Sequence, residues 1–212
     1  MDNKEACIIK LPKIADPRGN LSIIEQIKQI PFEIKRVHWV YDVPGGFCRG
    51  GHASFETEEF IVALSGSFDV VVDDGEKKET YQLNRSYFGL YVPKGMWRTM
   101  TNFSTNSLAL VLSSTEYNEK DYVSDYEEYK AWRKDRTKIP TKTDAKTSVR
   151  LNEPMNKQML TEGKSVFDCS LCELNKMHDP EGNLTFMYEK VHVPFPINRV
   201  FYRYDIPGGE DR

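Results

Sequence analysis

One stretch of this chain of 212 residues is present twice. Asp16-Pro17-Arg18-Gly19-Asn20-Leu21 returns as Asp179-Pro180-Glu181-Gly182-Asn183-Leu184, and Tyr41-Asp42-Val43-Pro44-Gly45-Gly46 returns as Tyr204-Asp205-Ile206-Pro207-Gly208-Gly209. Between them Pro31-Phe32 matches Pro194-Phe195 and Arg36-Val37 matches Arg199-Val200, always 163 positions apart and without a gap. About half of the positions from Asp16 to Arg49 are identical to their partners, far beyond what composition gives by accident. A repeat of this kind sets the organisation before any residue is assigned a shape. It predicts a complete module over residues 1–134, a connector over 135–164 and the opening strands of a second copy over 165–212.

The first module reads as nearly all β. From Arg36 to Val43 the apolar Val37, Trp39, Tyr41 and Val43 alternate with Arg36, His38 and Asp42, the period of a strand. Phe60–Leu64 and Phe68–Val72 flank Ser65-Gly66 as a hairpin, and Asp73-Asp74-Gly75 closes it. Further strands are expected at Tyr87–Val92, stopped by Pro93, and at Leu108–Leu112. Many short strands at this spacing imply a sandwich or barrel. Tyr122, Tyr126 and Tyr129 fall at helical spacing and predict one helix from about Glu119 to Lys134, its tyrosines serving as core packing. The Lys-, Thr-, Asn- and Glu-rich stretch that follows reads as a linker. A few strands of the second copy cannot close a barrel, so they are expected to pair with the first module or with a neighbouring chain.

Bulk properties exclude several classes. A net charge of −3 gives no broad nucleic-acid footprint, and no apolar run approaches the roughly 18 residues of a membrane span. The N-terminus lacks the apolar core of a signal peptide, which predicts a cytoplasmic protein with reduced cysteines. Cys169 and Cys172 have the CxxC spacing, but no second Cys/His pair completes a zinc or redox site.

The chemistry concentrates in two spaced patterns. Gly46, His52, Ser54, Glu59 and Gly66 form the first, and Pro93, Gly95, Arg98 and Asn102 the second. These spacings resemble the paired signature motifs of the cupin superfamily, a small jelly-roll β-barrel. In metal-binding cupins the positions held here by His52, Ser54, Glu59 and Arg98 are His, His, Glu and His. Ser54 is a poor ligand and Arg98 has no lone pair to give, so no metal or other cofactor is expected.

The chain further resembles the WxcM-like sugar-nucleotide 3,4-ketoisomerases, cupins acting on thymidine-diphosphate-4-oxo-6-deoxyglucose. The resemblance is carried by Asp16-Pro17-Arg18-Gly19, Ile34-Lys35-Arg36-Val37, Arg49-Gly50-Gly51-His52-Ala53, Leu64-Ser65-Gly66-Ser67, Asp73-Asp74-Gly75, Gly89-Leu90-Tyr91-Val92 and Asp121-Tyr122. It spans roughly residues 7–134 and implies a homodimer with exchanged N-terminal strands, a dTDP-4-keto-6-deoxyhexose ligand and a place in deoxysugar or surface-polysaccharide biosynthesis. The family's Arg-Gly-X-His-Ala-His motif keeps its first histidine as His52 and has Ser54 for the second, and its Trp-His is Trp97-Arg98.

Moving a ketone between adjacent carbons needs a base, a group that holds the enediolate and an acid, and imidazole suits both proton steps. The expected catalytic residues are therefore His52 as base, with Arg98 and Tyr91 polarising. Arg49, Arg36, Arg18 and Lys94 are candidates for the diphosphate, Trp97 and Tyr41 for stacking on thymine or sugar, and Ser54 and Glu59 complete the substrate-binding set. His38 receives no role. Plainer readings stand beside these: Glu59 pairing with an arginine, Arg18 capping its turn, and Arg36 in a structural ion pair. With one motif histidine absent, a non-catalytic module that binds a nucleotide sugar is the alternative to an isomerase.

Overall fold

The computed structural model describes residues 5–135 and 172–208. The expected linker and Cys169 lie outside the described residues. The first module runs β1 (Cys7–Lys10), β2 (Lys13–Ile14), β3 (Asn20–Glu25), β4 (Arg36–Tyr41), β5 (Arg49–Ser54), β6 (Glu59–Ser65), β7 (Phe68–Asp73), β8 (Lys78–Leu83), β9 (Phe88–Val92), β10 (Trp97–Thr101), β11 (Leu108–Ser113), β12 (Tyr122–Val123) and the helix α1 (Tyr126–Lys134). The second copy contributes β13 (Lys176–Met177), β14 (Asn183–Tyr188) and β15 (Arg199–Tyr204).

Two antiparallel sheets face each other, as the alternation of apolar residues requires. One has the order β1-β9-β6-β11-β4-β14-β13 and the other β12-β5-β10-β7-β8. Val40, Ile61, Val70, Val72, Leu90 and Val111 fill the space between them at one end. Complete burial of such side chains contributes about 1.5–3 kcal/mol each. Phe60, Val62, Tyr91, Leu110 and Leu112 point out of the opposite face of the larger sheet, where Ile24, Phe32, Ile34 and Ile197 cover them. A third sheet, β15-β3-β2, carries Ile24 and Val200 into that same cluster.

The two copies exchange strands within one chain. Asn183 to Tyr188 pairs with β4, opposing Asn183 to Tyr41 and Tyr188 to Arg36. β3 pairs with β15 in the equivalent register, Asn20 opposite Tyr204 and Glu25 opposite Arg199. Side chains repeat the relation: Asn183 donates to Asp42 at 2.8 Å and Asn20 to Asp205 at 2.9 Å. Ile34 and Ile197, partners in the repeat, bridge to each other, which sets them on a local pseudo-twofold axis. Strands left alone would present open edges; this pairing satisfies those of β4 and β3 together.

The helix is shorter than its tyrosine spacing predicts. Residues Glu119–Asp121 form a 3₁₀ turn and Tyr122 starts β12, which pairs with β5. The α-helix begins only after Asp125, whose carboxylate accepts from the amides of Glu127 and Glu128. Tyr129 is buried as core, but Tyr122 belongs to a different environment.

Candidate active site

Where the two sheets diverge they leave a cavity of about 530 Å³, within the range of small-molecule sites. Its walls come from three sources. The larger sheet supplies Arg36, His38 and Glu59, the smaller supplies Arg49, His52 and Arg98, and the second copy supplies Glu181, Leu184, Phe186 and Tyr188. The alternation that buries Val37 on the outer face of β4 turns Arg36, His38 and Val40 inward.

An ion pair ties the two sheets together at the cavity. The Arg98 Nε donates to Glu59 Oε2 at 2.7 Å and a terminal guanidinium nitrogen donates to Oε1 at 3.1 Å, with both residues buried. Burial alone would raise the Glu59 carboxyl, but the Arg98 charge overrides it and holds the group far below the usual carboxylate range. Gly50 makes this approach possible. Its φ is +96° and a Cβ there would overlap the Arg98 guanidinium.

His52 opposes Arg98 across the β5–β10 ladder. Its Nδ1 donates to the Gly50 carbonyl at 2.9 Å, so the lone pair resides on Nε2, which is buried with no protein partner among the described residues. The ring stands edge-on to Tyr122 at 5.0 Å. Burial, then the Arg98 charge, lowers the imidazole to about 3. It is therefore a neutral base at any ordinary pH. Arg36 donates to the Tyr122 hydroxyl at 2.7 Å and to Ser113 at 3.1 Å, and lies over the Tyr117 ring, while its Nε has no partner among the described residues.

Of the residues singled out in the sequence, Arg36, Arg49, His52, Glu59 and Arg98 share this cavity. The others do not. Tyr91 lies on the outer face of β9, buried against Phe32 with its hydroxyl donating to Glu58, so it cannot polarise a bound sugar. Trp97 points the opposite way from Arg98, into Tyr126 and Tyr129 of α1. Tyr41 is on the outer side of β4, bonded to Thr185. Lys94 is exposed and paired with Glu56. Ser54 spends its hydroxyl on the Thr57 carbonyl at 2.7 Å, holding the β5–β6 connection.

Arg18 is exposed and bound to Asp16 of its own turn, the plainer of its two readings. Because the strands are exchanged, the cavity receives its repeat partner Glu181 instead. Among the cavity residues given no role from the sequence are His38 and Tyr122. His38 was legible from the alternation with Arg36, and Tyr122 from the Asp125 cap signal that starts the helix after it.

The donor set does not suit a metal ion of the cupin type. The guanidinium of Arg98 already occupies the carboxylate of Glu59, and the Ser54 hydroxyl is turned to a backbone carbonyl. Among the described residues no cluster of three or more His, Cys, Asp or Glu side chains is arranged to hold one.

A two-sheet all-β fold of cupin type, with a His–Glu–Arg cavity in place of a chelating set, is the class these features define. The chain belongs to the WxcM-like, C-terminal family (FdtA), whose profile matches residues 4–134 and again 167–212. It is 40% identical over 132 residues to the TDP-4-oxo-6-deoxy-alpha-D-glucose-3,4-oxoisomerase of Aneurinibacillus thermoaerophilus, a match covering 62% of this chain and 93% of that protein. A 3,4-ketoisomerase from Helicobacter canadensis has a similar structure, with a TM-score of 0.61 at 40% identity over 63% of this chain and 100% of that one. The sugar 3,4-ketoisomerase QdtA of Thermoanaerobacterium thermosaccharolyticum, in complex with TDP, gives 0.61 at 33% identity over 64% and 98%. Among the described residues no helix is long and apolar enough to cross a membrane.

Proposed function

We propose that this chain is a sugar-nucleotide 3,4-ketoisomerase acting on a TDP-4-keto-6-deoxyhexose, in a cytoplasmic pathway of deoxysugar or polysaccharide assembly. The observation that carries the reading is the buried, unpartnered Nε2 of His52 in a cavity beside a fixed guanidinium. A ketone at carbon 4 acidifies the hydrogen on carbon 3. Neutral His52 removes that proton and returns it to carbon 4, and Arg98, held rigid by Glu59, stabilises the enediolate electrostatically. The unclaimed Nε of Arg36, with Arg49 at the cavity wall, suits the oxygens of the diphosphate. The pairing of β14 from the second copy with β4 of the first supports a site completed within one chain.

The test is a proton NMR assay with TDP-4-keto-6-deoxyglucose in deuterated buffer. The reading expects solvent deuterium at the carbons flanking the migrating ketone and appearance of the 3-keto product. Binding of TDP without exchange would instead identify a non-catalytic nucleotide-sugar module.

A further inference from the structure

Three guanidiniums line the cavity, and two of them have an acidic partner. Arg98 is held by Glu59, and Arg49 reaches Asp179 of the second copy at 3.6 Å. Arg36 differs. It donates to the hydroxyls of Ser113 and Tyr122, its guanidinium lies over the Tyr117 ring, and its Nε has no partner among the described residues. Glu59 acts on it as a charge, but both oxygens of that carboxylate are already bound by Arg98. Arg36 is only 5% exposed. A buried cation is costly unless a negative group compensates it, so this charge is open to an anion that enters the cavity.

The repeat shows which residue leaves the charge open. Across the β14–β4 ladder Arg36 faces Tyr188, and on its other side β11 presents Ser113. The repeat partners of Arg36 and Tyr188 are Arg199 and Glu25, and these face each other across the β15–β3 ladder in the equivalent register. One half of the chain therefore sets an arginine opposite a carboxylate, and the other sets it opposite a phenol. Arg199 is exposed and is not part of this cavity, whereas Arg36 and Tyr188 are both buried and both line it. Burial pushes the Tyr188 hydroxyl up, against the opposing charge and hydrogen bond of Arg36, so the ring stays a neutral phenol at ordinary pH. A glutamate at this position would neutralise the guanidinium from within.

We infer, resting on the function proposed above, that Tyr188 of the second copy is a specificity-determining residue. By facing Arg36 without a carboxylate, it leaves that buried charge to the diphosphate of a nucleotide sugar. The free Nε of Arg36 meets a phosphoryl oxygen in a charge-assisted hydrogen bond, which is stronger in a buried site than in water. Arg49 offers less to the same group, because Asp179 is paired with it and Glu181 is on the same cavity wall. The second copy thus contributes to ligand choice through a single exchange, tyrosine where the first copy has glutamate.

The test measures the affinities of TDP and thymidine by NMR titration in wild type, Tyr188→Gln and Tyr188→Glu, and repeats the two variants in an Arg36→Met background. Glutamine and glutamate have the same shape, so their difference reads the charge and not the lost ring. Tyr188→Glu should bind TDP about 10–100-fold more weakly than Tyr188→Gln, the worth of a hydrogen bond to a charged group. Thymidine, which has no phosphate, should bind both equally. With Arg36→Met the gap should close, because the glutamate acts through the guanidinium. A gap that persists there would mean direct repulsion of the ligand and would overturn the inference. Equal TDP affinity in the two variants, or loss of thymidine binding in both, would overturn it as well. In each of these cases a wild type that binds TDP and isomerises the sugar keeps the proposed function, whereas a wild type that binds no TDP overturns both.

Discussion

The guanidinium of Arg98 meets the carboxylate of Glu59 through two hydrogen bonds, 2.7 and 3.1 Å long, between strands of opposite sheets. Fixing a cation here gives the cavity a positive centre without a chelating set, and it couples the site to the stability of the fold.

Removing one member of a buried pair leaves the other uncompensated, which costs about 3–5 kcal/mol, whereas replacing both by apolar groups of similar volume is far milder. Arg98→Met alone and Glu59→Leu alone should each lower the free energy of denaturant unfolding by more than the double substitution does. A loss in the double variant equal to the sum of the two single losses would show that the pair is not coupled.

The pH profile follows from the base. A proton acceptor works when deprotonated, and His52, lowered to about 3, stays deprotonated far below the usual histidine range. The acid limb of kcat/KM should therefore lack the fall near pH 6.5 that an ordinary histidine base gives, remaining flat down to about pH 5. A limb at the ordinary histidine value would mean that the ring is solvated.

The same shifts reach stability with a definite sign. His38 and His52 have folded values below their unfolded value of about 6.5, so the unfolded chain binds more protons as pH falls. Their contribution is fully present above about pH 6.5 and is lost progressively toward pH 3. The unfolding temperature should fall between pH 7.5 and pH 5, and by less in His52→Asn, which has nothing to titrate there.

The exchanged strand should matter to both fold and site. Phe186 is 3% exposed, pairs with the strand position of His38 and packs on Tyr188 and His192. Phe186→Ala should cost about 3–5 kcal/mol of stability and weaken TDP-sugar binding by opening the cavity wall. Unaltered binding in a destabilised protein would separate the second copy from the site.

Much of this was legible in the sequence because it is local or periodic. Alternation and short apolar runs placed β4, β6, β7, β9 and β11, and the His52–Glu59–Arg98 spacing marked residues that do converge. The helix over 119–134 was overextended because Tyr122, Tyr126 and Tyr129 satisfy a helical period, although Asp125 caps the helix three residues after Tyr122. Tyr91 was misassigned because alternation reveals that a residue faces inward or outward only once both faces of the sheet are known. Here both are buried, one against the cavity and the other under Ile24 and Ile197. Arg18 failed for a different reason. Which copy's turn reaches the cavity depends on strand exchange, a pairing across about 150 residues that no local pattern encodes.

The most direct test of the central claim compares wild type and His52→Asn with TDP-4-keto-6-deoxyglucose in deuterated buffer, following the sugar carbons by NMR. The account predicts deuterium incorporation and ketone migration in wild type, and loss of both in the variant with TDP still bound. Exchange that persists undiminished in His52→Asn would contradict it.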